Sequence, residues 1–290
     1  MPVASAMKLL FCSDLHGDAP NYARLQAAAA ELRPDLIILG GDMLPDDTAL
    51  APSEMGLNQP RYVRETFRPM IARLREAAGG ARVLFVFGNH DWGSSVTAVA
   101  ELADEKLLTV LNLETPTEVN GVVFVGYPHT PPTPWYVKDF ERLDEIGDRP
   151  PLLGGAKWDP RFSRVLTHGA AVLFSKLPTI EDDLSELAAP PNPWVFVAHA
   201  PPFGCALDRT YGNNAYGSHA IRRTIEQHQP LLSLHGHIHE SPRVSGEFKQ
   251  QFGKTIAVNV GQGLGSLSYA SIEIDVPACK VTKLEHRQQS

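Results

Sequence analysis

The chain has 290 residues, a formal net charge of −7 and a pI near 5.9. Proteins that bind nucleic acids usually carry a basic face, so this charge argues against an extended nucleic-acid surface. The 43% hydrophobic and 20% charged residues are typical of a globular protein, and the apolar runs are too short to span a membrane.

Residues 8–105 alternate between predicted strands and helices. Short apolar runs that are bounded by glycine and polar residues predict strands buried on both faces. These runs lie at 8–12, 36–39 and 83–87. The composition and spacing of residues predict helices from Tyr22 to Leu32, from Tyr62 to Ala78 and from Val96 to Glu105. Pro20 and Pro60 lie just ahead of the first two, where proline suits a helix start.

The segment that follows is less regular. Asn120-Gly121 between two valines predicts a β-hairpin, and therefore antiparallel strands in a mixed sheet. Residues 127–192 are rich in proline but also contain Trp135, Tyr136 and Trp158, and these aromatic residues argue against a disordered linker. We therefore expect an ordered insertion or cap at about residues 127–192, near the functional site, with aromatic rings available as a substrate wall.

The last part of the chain returns to strands. Further apolar runs lie at 194–197 and 231–234, and strands are predicted at Thr255 to Val260, Ala270 to Val276 and Val281 to Glu285. We expect these last three strands to close a second sheet against the first. Because the candidate site motifs are spread along the whole chain, neither half can hold the site alone, and we predict one domain over residues 1–290.

Five short motifs each follow one of the apolar runs. They are Ser13-Asp14-Leu15-His16, Gly40-Gly41-Asp42, Gly88-Asn89-His90-Asp91, Ala198-His199-Ala200 and Gly236-His237-Ile238-His239. In open α/β sheets, functional sites form beyond the carboxyl ends of the strands. The pattern therefore predicts that five segments bring Asp, Asn and His side chains to one edge.

The candidate ligands offer oxygen and imidazole nitrogen, with no cysteine among them. They are Asp14, His16, Asp42, Asn89, His199, His237 and His239. Such a set suits Mn, Fe, Zn or Ni better than Ca or a thiolate zinc site. One metal with an open position uses about three or four protein ligands, so seven candidates indicate two ions that share a carboxylate. Two ions about 3.5–4 Å apart can activate a bridging hydroxide for in-line attack on phosphorus.

The five motifs together resemble the calcineurin-like metallophosphoesterase superfamily, whose pattern is D-x-H, G-D, G-N-H-D/E, H and G-H-x-H. Every element is present in order between Asp14 and His239, which is most of the chain. The runs Lys138-Asp139-Phe140-Glu141-Arg142 and Gly236 through Glu240 resemble, more loosely, a bacterial and archaeal branch of that superfamily. The resemblance implies a metallophosphoesterase-like four-layer α/β fold, in which a two-sheet β-sandwich with mixed sheets is flanked by helices.

The resemblance also implies a role for each motif residue. The expected ligands are Asp14, His16 and His239 for one metal, Asn89, His199 and His237 for the second, and Asp42 as the bridge. His90 matches the family histidine that faces the substrate phosphate and protonates the leaving oxygen or stabilises developing charge. Asp91 matches the partner that orients this imidazole. The implied cofactor is a pair of divalent or mixed-valence ions, with Mn favoured over Fe, Zn and Ni.

Ordinary structural roles compete with each of these assignments. Asp14 and Asp42 could cap helices that follow a strand. Asn89 after a glycine could belong to a tight turn, and His199 could be a loop residue. The ordered combination of all five motifs favours the metal site over these separate explanations.

The predicted function is hydrolysis of a small phosphoric ester through a metal-bridging hydroxide, with diesters and cyclic nucleotides favoured. A phosphomonoesterase or protein phosphatase on the same core is the alternative, and Arg209 is the candidate for the extra arginine that monoesters often recruit. A non-catalytic metal-binding scaffold is the least favoured function, because every motif position is intact.

The cysteine content and the N-terminus bear on the compartment. Three cysteines form an odd and sparse set, which is typical of a reducing compartment without a disulfide framework. Met1 to Ala6 is too short for a signal peptide ahead of the first strand. We therefore predict a cytoplasmic protein.

Overall fold

The strands follow the apolar segments of the sequence in the computed structural model, which describes residues 6–47, 49–51, 54–263 and 265–290. In chain order they are β1 (Met7–Cys12), β2 (Leu36–Leu39), β3 (Arg82–Phe85), β4 (Thr109–Val110), β5 (Thr117–Val119), β6 (Val122–Tyr127), β7 (Gly155–Asp159), β8 (Arg164–His168), β9 (Trp194–Ala198), β10 (Leu232–His235), β11 (Lys249–Phe252), β12 (Thr255–Asn259), β13 (Leu267–Asp275) and β14 (Lys280–Gln289).

The helices lie between these strands. They are α1 (Ala19–Leu32), α2 (Asn58–Tyr62), α3 (Arg68–Ala77), α4 (Ser95–Asp104), α5 (Ala170–Phe174), α6 (Ile180–Ser185), α7 (His219–His228) and α8 (Ser241–Ser245), with a π-helical turn at Val63–Phe67. Within the described residues, no helix has the length and apolar character that a membrane crossing requires.

Both large sheets combine parallel and antiparallel strands, as predicted. The first has the order β14-β13-β1-β2-β3-β4, in which β1 to β4 run parallel. β13 pairs antiparallel with β1, and β14 pairs antiparallel with β13. The second has the order β11-β12-β10-β9-β6-β5, with four parallel central strands and antiparallel strands at both edges. β7 and β8 pair separately as an antiparallel hairpin.

The alternating direction of side chains explains why the apolar runs are continuous. In β1, Leu9 and Phe11 pack in the core between the two sheets, whereas Leu10 and Cys12 face the core beneath α1, α3 and α4. On the far side, α6 and α7 cover the outer face of the second sheet. The layers are therefore helix, sheet, sheet and helix, which confirms the predicted four-layer architecture.

The predicted hairpin is present between β5 and β6, where Val119 lies opposite Val122. Asn120 and Gly121 have φ of +51° and +83°, as a type I′ turn requires. Residues 127–192 contain β7, β8, α5 and α6 between irregular stretches. The segment that was expected to be an insertion therefore has secondary structure of its own.

The predicted helix from Tyr62 to Ala78 is divided in the structure. α2 ends at Tyr62, the π-helical turn follows, and α3 begins at Arg68. Pro69 explains the break, because it has no N–H to donate and its ring would collide with the carbonyl four residues earlier in a regular α-helix. The π-helical turn relieves this conflict and lets the helical path continue.

The placement of the last strands corrects one expectation. β12 joins the second sheet, but β13 and β14 join the first. β13 pairs with Met7 to Phe11 of β1, with Met7 opposite Ile274 and Phe11 opposite Ala270. Without β13, β1 would be an edge strand with unpaired backbone groups, so the long β13–β14 hairpin covers that edge.

Candidate metal centre

The candidate ligands lie where the carboxyl ends of strands from both sheets meet. The motifs after β1, β2 and β3 come from the first sheet, and those after β9 and β10 come from the second. Backbone hydrogen bonds continue the strand pairing past the strand ends: Asp14 N–H donates to Gly41 O, and Gly236 N–H donates to His199 O, both at 2.9 Å. The fold therefore fixes the backbone from which the ligands project.

Four of the seven candidate ligands have a left-handed backbone. Their φ angles are +59° for Asp14, +45° for His16, +53° for Asp42 and +68° for His237. Positive φ is uncommon for residues with a side chain and costs about 1–3 kcal/mol for each residue. Such strain persists only where the surrounding structure imposes it, and its concentration at one edge indicates a functional site.

The first group of ligands combines residues that follow β1 with a residue that follows β10. Nε2 of His16 lies 3.2 Å from Nε2 of His239, which lies 3.4 Å from Oδ1 of Asp14. The ligand atoms of these three residues lie within 4.8 Å of one another. Two imidazole nitrogens this close repel each other unless a proton or a cation lies between them. Asp14, His16 and His239 therefore have the donor atoms and the spacing of a metal site.

The second group surrounds Nε2 of His199. This atom lies 3.1 Å from Oδ2 of Asp42 and 3.3 Å from Oδ1 of Asn89. Nδ1 of the same ring donates to the carbonyl of Gly40 at 2.9 Å, which sets the tautomer and leaves Nε2 as an acceptor for a cation. Nδ1 of His237 lies 2.8 Å from the same Asn89 oxygen. These four side chains form a second cluster of oxygen and imidazole ligands.

Asp14 and Asp42 connect the two groups. Their carboxylate oxygens and the His199 ring nitrogen lie within 4.8 Å of one another, and all three side chains are buried. Burial raises the pKa of each carboxyl, but the imidazoles outweigh it. His239 and His199 lower the pKa of Asp14 to about 2, and His199 and His90 hold that of Asp42 well below its usual range. Two buried carboxylates side by side require positive charge, which bound cations would supply.

Two motif glycines are required by the close packing of these ligands. A Cβ atom at Gly88 would collide with the carboxylate of Asp42, and a Cβ atom at Gly236 would collide with the carboxylate of Asp14. The G-N-H-D and G-H-I-H motifs therefore need glycine at their first position for steric reasons. A larger residue at either position would displace a candidate ligand.

His90 lies beside both groups. Its backbone N–H donates to Oδ1 of Asp42 at 2.8 Å, and its Nδ1 lies 2.6 Å from Oδ1 of Asp46. A hydrogen bond from Nδ1–H to Asp46 leaves Nε2 as the nitrogen that can face a substrate. Burial lowers the pKa of His90, but Asp42 and Asp46 outweigh this effect and raise it to about 9. The geometry suits a proton donor.

The carboxylate that contacts the His90 ring is Asp46 and not Asp91, which corrects the expectation that Asp91 pairs with this imidazole. The Asp91 carboxylate is fully buried and accepts the backbone N–H of Gly88 at 2.8 Å, so it holds the G-N-H-D turn. Burial and the nearby charge of Asp42 raise the pKa of Asp91 to about 8. Its contribution is to the position of the loop, and the carboxylate that contacts the His90 ring belongs to Asp46.

Asp46 was not predicted from the sequence. It lies four residues after Asp42 and directly before another carboxylate, Asp47. The structure separates the two, because Asp46 reaches the His90 ring, whereas Asp47 accepts the backbone N–H of Gly56 at 3.1 Å. An acidic residue shortly after the G-G-D motif was the available signal, and it could not say which of the two neighbours faces the site.

Buried oxygen and imidazole ligands in two groups, beside a histidine paired with a carboxylate, are the kind of site that dinuclear metal hydrolases use. The calcineurin-like phosphoesterase family profile matches residues 7–241, so the chain belongs to that family. The protein is therefore a metallophosphoesterase, a hydrolase of phosphoric esters. Members of the family depend on two metal ions and act on phosphate esters.

Solved structures share the fold. One crystal structure superposes with a TM-score of 0.63 at 18% identity, covering 98% of this chain and 100% of its own. The structure of TT1561 of Thermus thermophilus superposes with a TM-score of 0.56 at 19% identity, covering 97% of this chain and 98% of its own. Identities this low support the fold alone. Among curated protein sequences, none matches the chain significantly.

Proposed function

We propose that this metallophosphoesterase is a phosphodiesterase that cleaves small phosphoric diesters, including cyclic nucleotides. The observation that supports the proposal is the pairing of His90 with Asp46 directly beside the two ligand groups. An alkoxide leaving group departs readily only when it receives a proton, and a histidine whose Nδ1 is held by a carboxylate can supply one from Nε2. Because a second phosphate oxygen is esterified, a diester carries less negative charge than a monoester. It therefore needs less positive charge from the side chains around the phosphate.

The two ligand groups fit a pair of metal ions, and Mn is favoured over Fe, Zn and Ni. One ion would be held by Asp14, His16 and His239, the other by Asn89, His199 and His237, and Asp42 would be shared. Bound there, the ions would activate water and neutralise charge on the phosphate oxygens. The chain's own contribution is to hold the ligands in place, for example through the Gly40 carbonyl that orients the His199 ring.

A phosphomonoesterase or protein phosphatase on the same core is the second candidate. It would gain from an arginine directed at the phosphate, and Arg209 was the residue considered for that role. The Arg209 guanidinium instead donates to the carbonyl groups of Cys205 at 2.9 Å and Asn213 at 3.3 Å within its own loop. Because these bonds hold the Arg209 guanidinium within its own loop, they do not support a role on the phosphate, and this favours a diester over a monoester. A non-catalytic scaffold is disfavoured because the ligands and His90 lie together.

A substrate panel tests the proposal. The purified chain, supplied with Mn²⁺, would be assayed on matched monoesters, open diesters and cyclic nucleotides. We expect the highest kcat/KM on diesters, with lower values on monoesters that carry the same leaving group. A preference for monoesters would select the phosphatase alternative, and no turnover of any ester by a chain that binds two ions would select the scaffold.

Replacing Asp46 by Asn should weaken catalysis more than metal binding, although Asp46 Oδ1 also lies 3.3 Å from Nδ1 of the expected ligand His16. The amide cannot supply the negative charge that holds His90 Nδ1–H, so the imidazole loses its orientation and part of its affinity for a proton. We expect turnover to fall by about 10- to 100-fold, the usual effect of removing a group that orients a catalytic residue or ligand. Metal content and kcat measured on the same preparation check this.

Asp47→Asn is the matched control for that variant. Asp47 is the adjacent carboxylate, but it bonds the backbone of Gly56 and the side chain of Asn58. The Asp47→Asn variant should have a slightly lower melting temperature and a kcat close to wild type. If both variants reduce kcat to the same extent, the Asp46 effect is a loop effect and the pairing with His90 is not functional.

A cytoplasmic location also remains a proposal. Cys12, Cys205 and Cys279 are all free thiols, and burial raises the pKa of Cys205 to about 12, which keeps it protonated and unreactive. Free cysteines suit a reducing compartment. Cell fractionation of the native protein tests this, and recovery in an oxidising compartment would contradict it.

A further inference from the structure

An aromatic side chain of the 127–192 segment lies against His90. The ring centroids of Trp135 and His90 are 4.6 Å apart, with the planes inclined at 63°. The Trp135 side chain is nevertheless 47% exposed, so the indole contacts the candidate proton donor while leaving much of its surface open to solvent. A large exposed aromatic surface at the edge of a candidate catalytic site is available for a ligand to cover.

We infer that Trp135 is a specificity-determining residue that selects esters whose leaving group carries a flat aromatic ring, such as a nucleobase. The inference rests on the proposed hydrolysis, in which His90 faces the leaving oxygen. A ring attached to that side of the ester lies nearest to the indole. Stacking on an aromatic side chain is tolerant of the identity of the base, so the selection is for the presence of a ring.

A buried ion pair holds the segment that carries Trp135. Nζ of Lys138 lies 2.9 Å from the Glu141 carboxylate, and both side chains are almost completely buried. Lys138 also donates to the carbonyl of Thr133 at 2.8 Å, and Glu141 accepts the backbone N–H of Thr133 at 3.0 Å. The Thr133 hydroxyl in turn accepts the backbone N–H of Trp135 at 3.2 Å. The pair thus fixes the chain two residues before the indole.

Two further contacts fasten this segment to the catalytic loop. The Asp139 carboxylate accepts the backbone N–H of Gly93 at 2.8 Å and that of Trp158 at 3.1 Å. The ring of Phe140 stacks on Phe87 with centroids 4.9 Å apart and planes inclined at 6°. Gly93 and Phe87 lie on either side of the G-N-H-D motif, so both contacts set the position of the segment relative to His90.

The run Lys138-Asp139-Phe140-Glu141-Arg142, which resembles a branch of the family, therefore acts as a positioning motif. Buried ion pairs add little net stability because each charge loses its hydration, so a better explanation for this one is that it fixes a geometry. The geometry that it fixes is the distance between the indole and His90. A rigid aromatic surface binds a ring more tightly than a mobile one, since less conformational entropy is lost on binding.

The other two aromatic residues considered for a substrate wall have structural contacts instead. The Tyr136 hydroxyl bonds Oγ1 of Thr167 at 2.6 Å, and Tyr136 packs against the buried cluster of Trp92, Val137 and Ala156. Trp158 packs next to Gly56, where a Cβ atom would touch its ring. Trp135 is the member of the three whose ring contacts a residue of the candidate site.

The experiment measures binding, so that it is independent of turnover. Adenosine 5′-monophosphate and ribose 5-phosphate share the phosphate and the sugar and differ in the base. Calorimetry on the Mn²⁺-loaded chain should show the nucleotide binding roughly 5- to 150-fold more tightly, the range expected for stacking one base. Trp135→Ala should reduce this ratio to near one, and Trp135→Phe should retain part of it.

Phe162→Ala is the matched control, since Phe162 is another exposed aromatic residue of the same segment, at the β7–β8 turn. It should keep the wild-type ratio. Equal affinities of the wild type for both ligands, or a parallel loss of both in Trp135→Ala, would overturn the inference. Base-dependent binding in a chain that hydrolyses no ester would overturn the proposed hydrolysis and leave the stacking surface standing.

The positioning role of the Lys138–Glu141 pair is tested separately, by the same ratio of ligand affinities. Replacing Lys138 by Met together with Glu141 by Gln removes both charges without leaving one buried alone. The nucleotide to ribose 5-phosphate ratio should fall at least several-fold, and Lys138→Arg should retain most of it. A folded double variant with the wild-type ratio would show that the pair is structural only. If the double variant does not fold, Asp139→Asn, which weakens the link to Gly93, must lower the ratio for the positioning role to stand.

Discussion

Replacing Asp42 by Asn should remove most of the bound metal and nearly all of the activity. Asp42 contacts the second ligand group through His199 at 3.1 Å and lies within reach of Asp14 of the first group. Asparagine keeps the shape but loses the negative charge, so neither group retains the shared ligand. Elemental analysis of the purified variant and its turnover of a nitrophenyl diester measure the two losses together.

A buried carboxylate outside the site controls for a general effect on folding. Asp208 is fully buried and accepts backbone N–H groups of its own loop from Gly204, Cys205 and Gly217. Asp208→Asn should lower stability while the folded fraction keeps both ions. If the Asp42 variant holds two ions for each chain and turns over normally, Asp42 is not the shared ligand.

Replacing His90 by Ala should leave metal content unchanged and lower turnover by roughly 10²–10⁴, the usual contribution of a general acid. The reason is that the ring contacts Asp46 and Trp135 and would present Nε2 to a substrate, and His90 is not one of the seven expected ligands. The loss should be smaller for nitrophenyl esters, because nitrophenolate departs without protonation. A series of diesters that differ only in leaving-group pKa measures this dependence.

The pattern of loss across that series distinguishes the roles open to His90. A loss that grows with the pKa of the leaving group supports proton donation. An equal loss for good and poor leaving groups indicates stabilisation of developing charge. Loss of metal would instead make His90 a ligand. His219→Ala, which removes an exposed imidazole at the start of α7, should change neither metal content nor rate.

The sequence predicts the strands that carry the site because they are buried on both faces. In a run such as Leu36–Leu39, alternate side chains face the other sheet and the helices, so every position must be apolar. The glycines before Asn89 and His237 belong to the motifs for a related reason, since no larger residue fits beside the ligands. The motif glycines are thus explained by close packing at the strand ends.

Features that depend on which elements meet in space were not predictable. An antiparallel strand such as β13 can pair with either free edge, and its own pattern does not say which. The resemblance to the family implies Asp91, the adjacent residue, as the partner of His90. The true contact comes from Asp46, 44 positions earlier in the chain. The contact of Trp135 with His90 likewise joins segments that no periodicity connects.

The most direct test of the dinuclear site is the number and position of bound metal ions. The chain would be reconstituted with Mn²⁺, freed of excess metal, analysed for metal content and then examined by anomalous diffraction. We expect two ions for each chain, one at Asp14, His16 and His239 and one at Asn89, His199 and His237, with Asp42 contacting both. A single ion, or two ions of which neither contacts Asp42, would contradict the assignment.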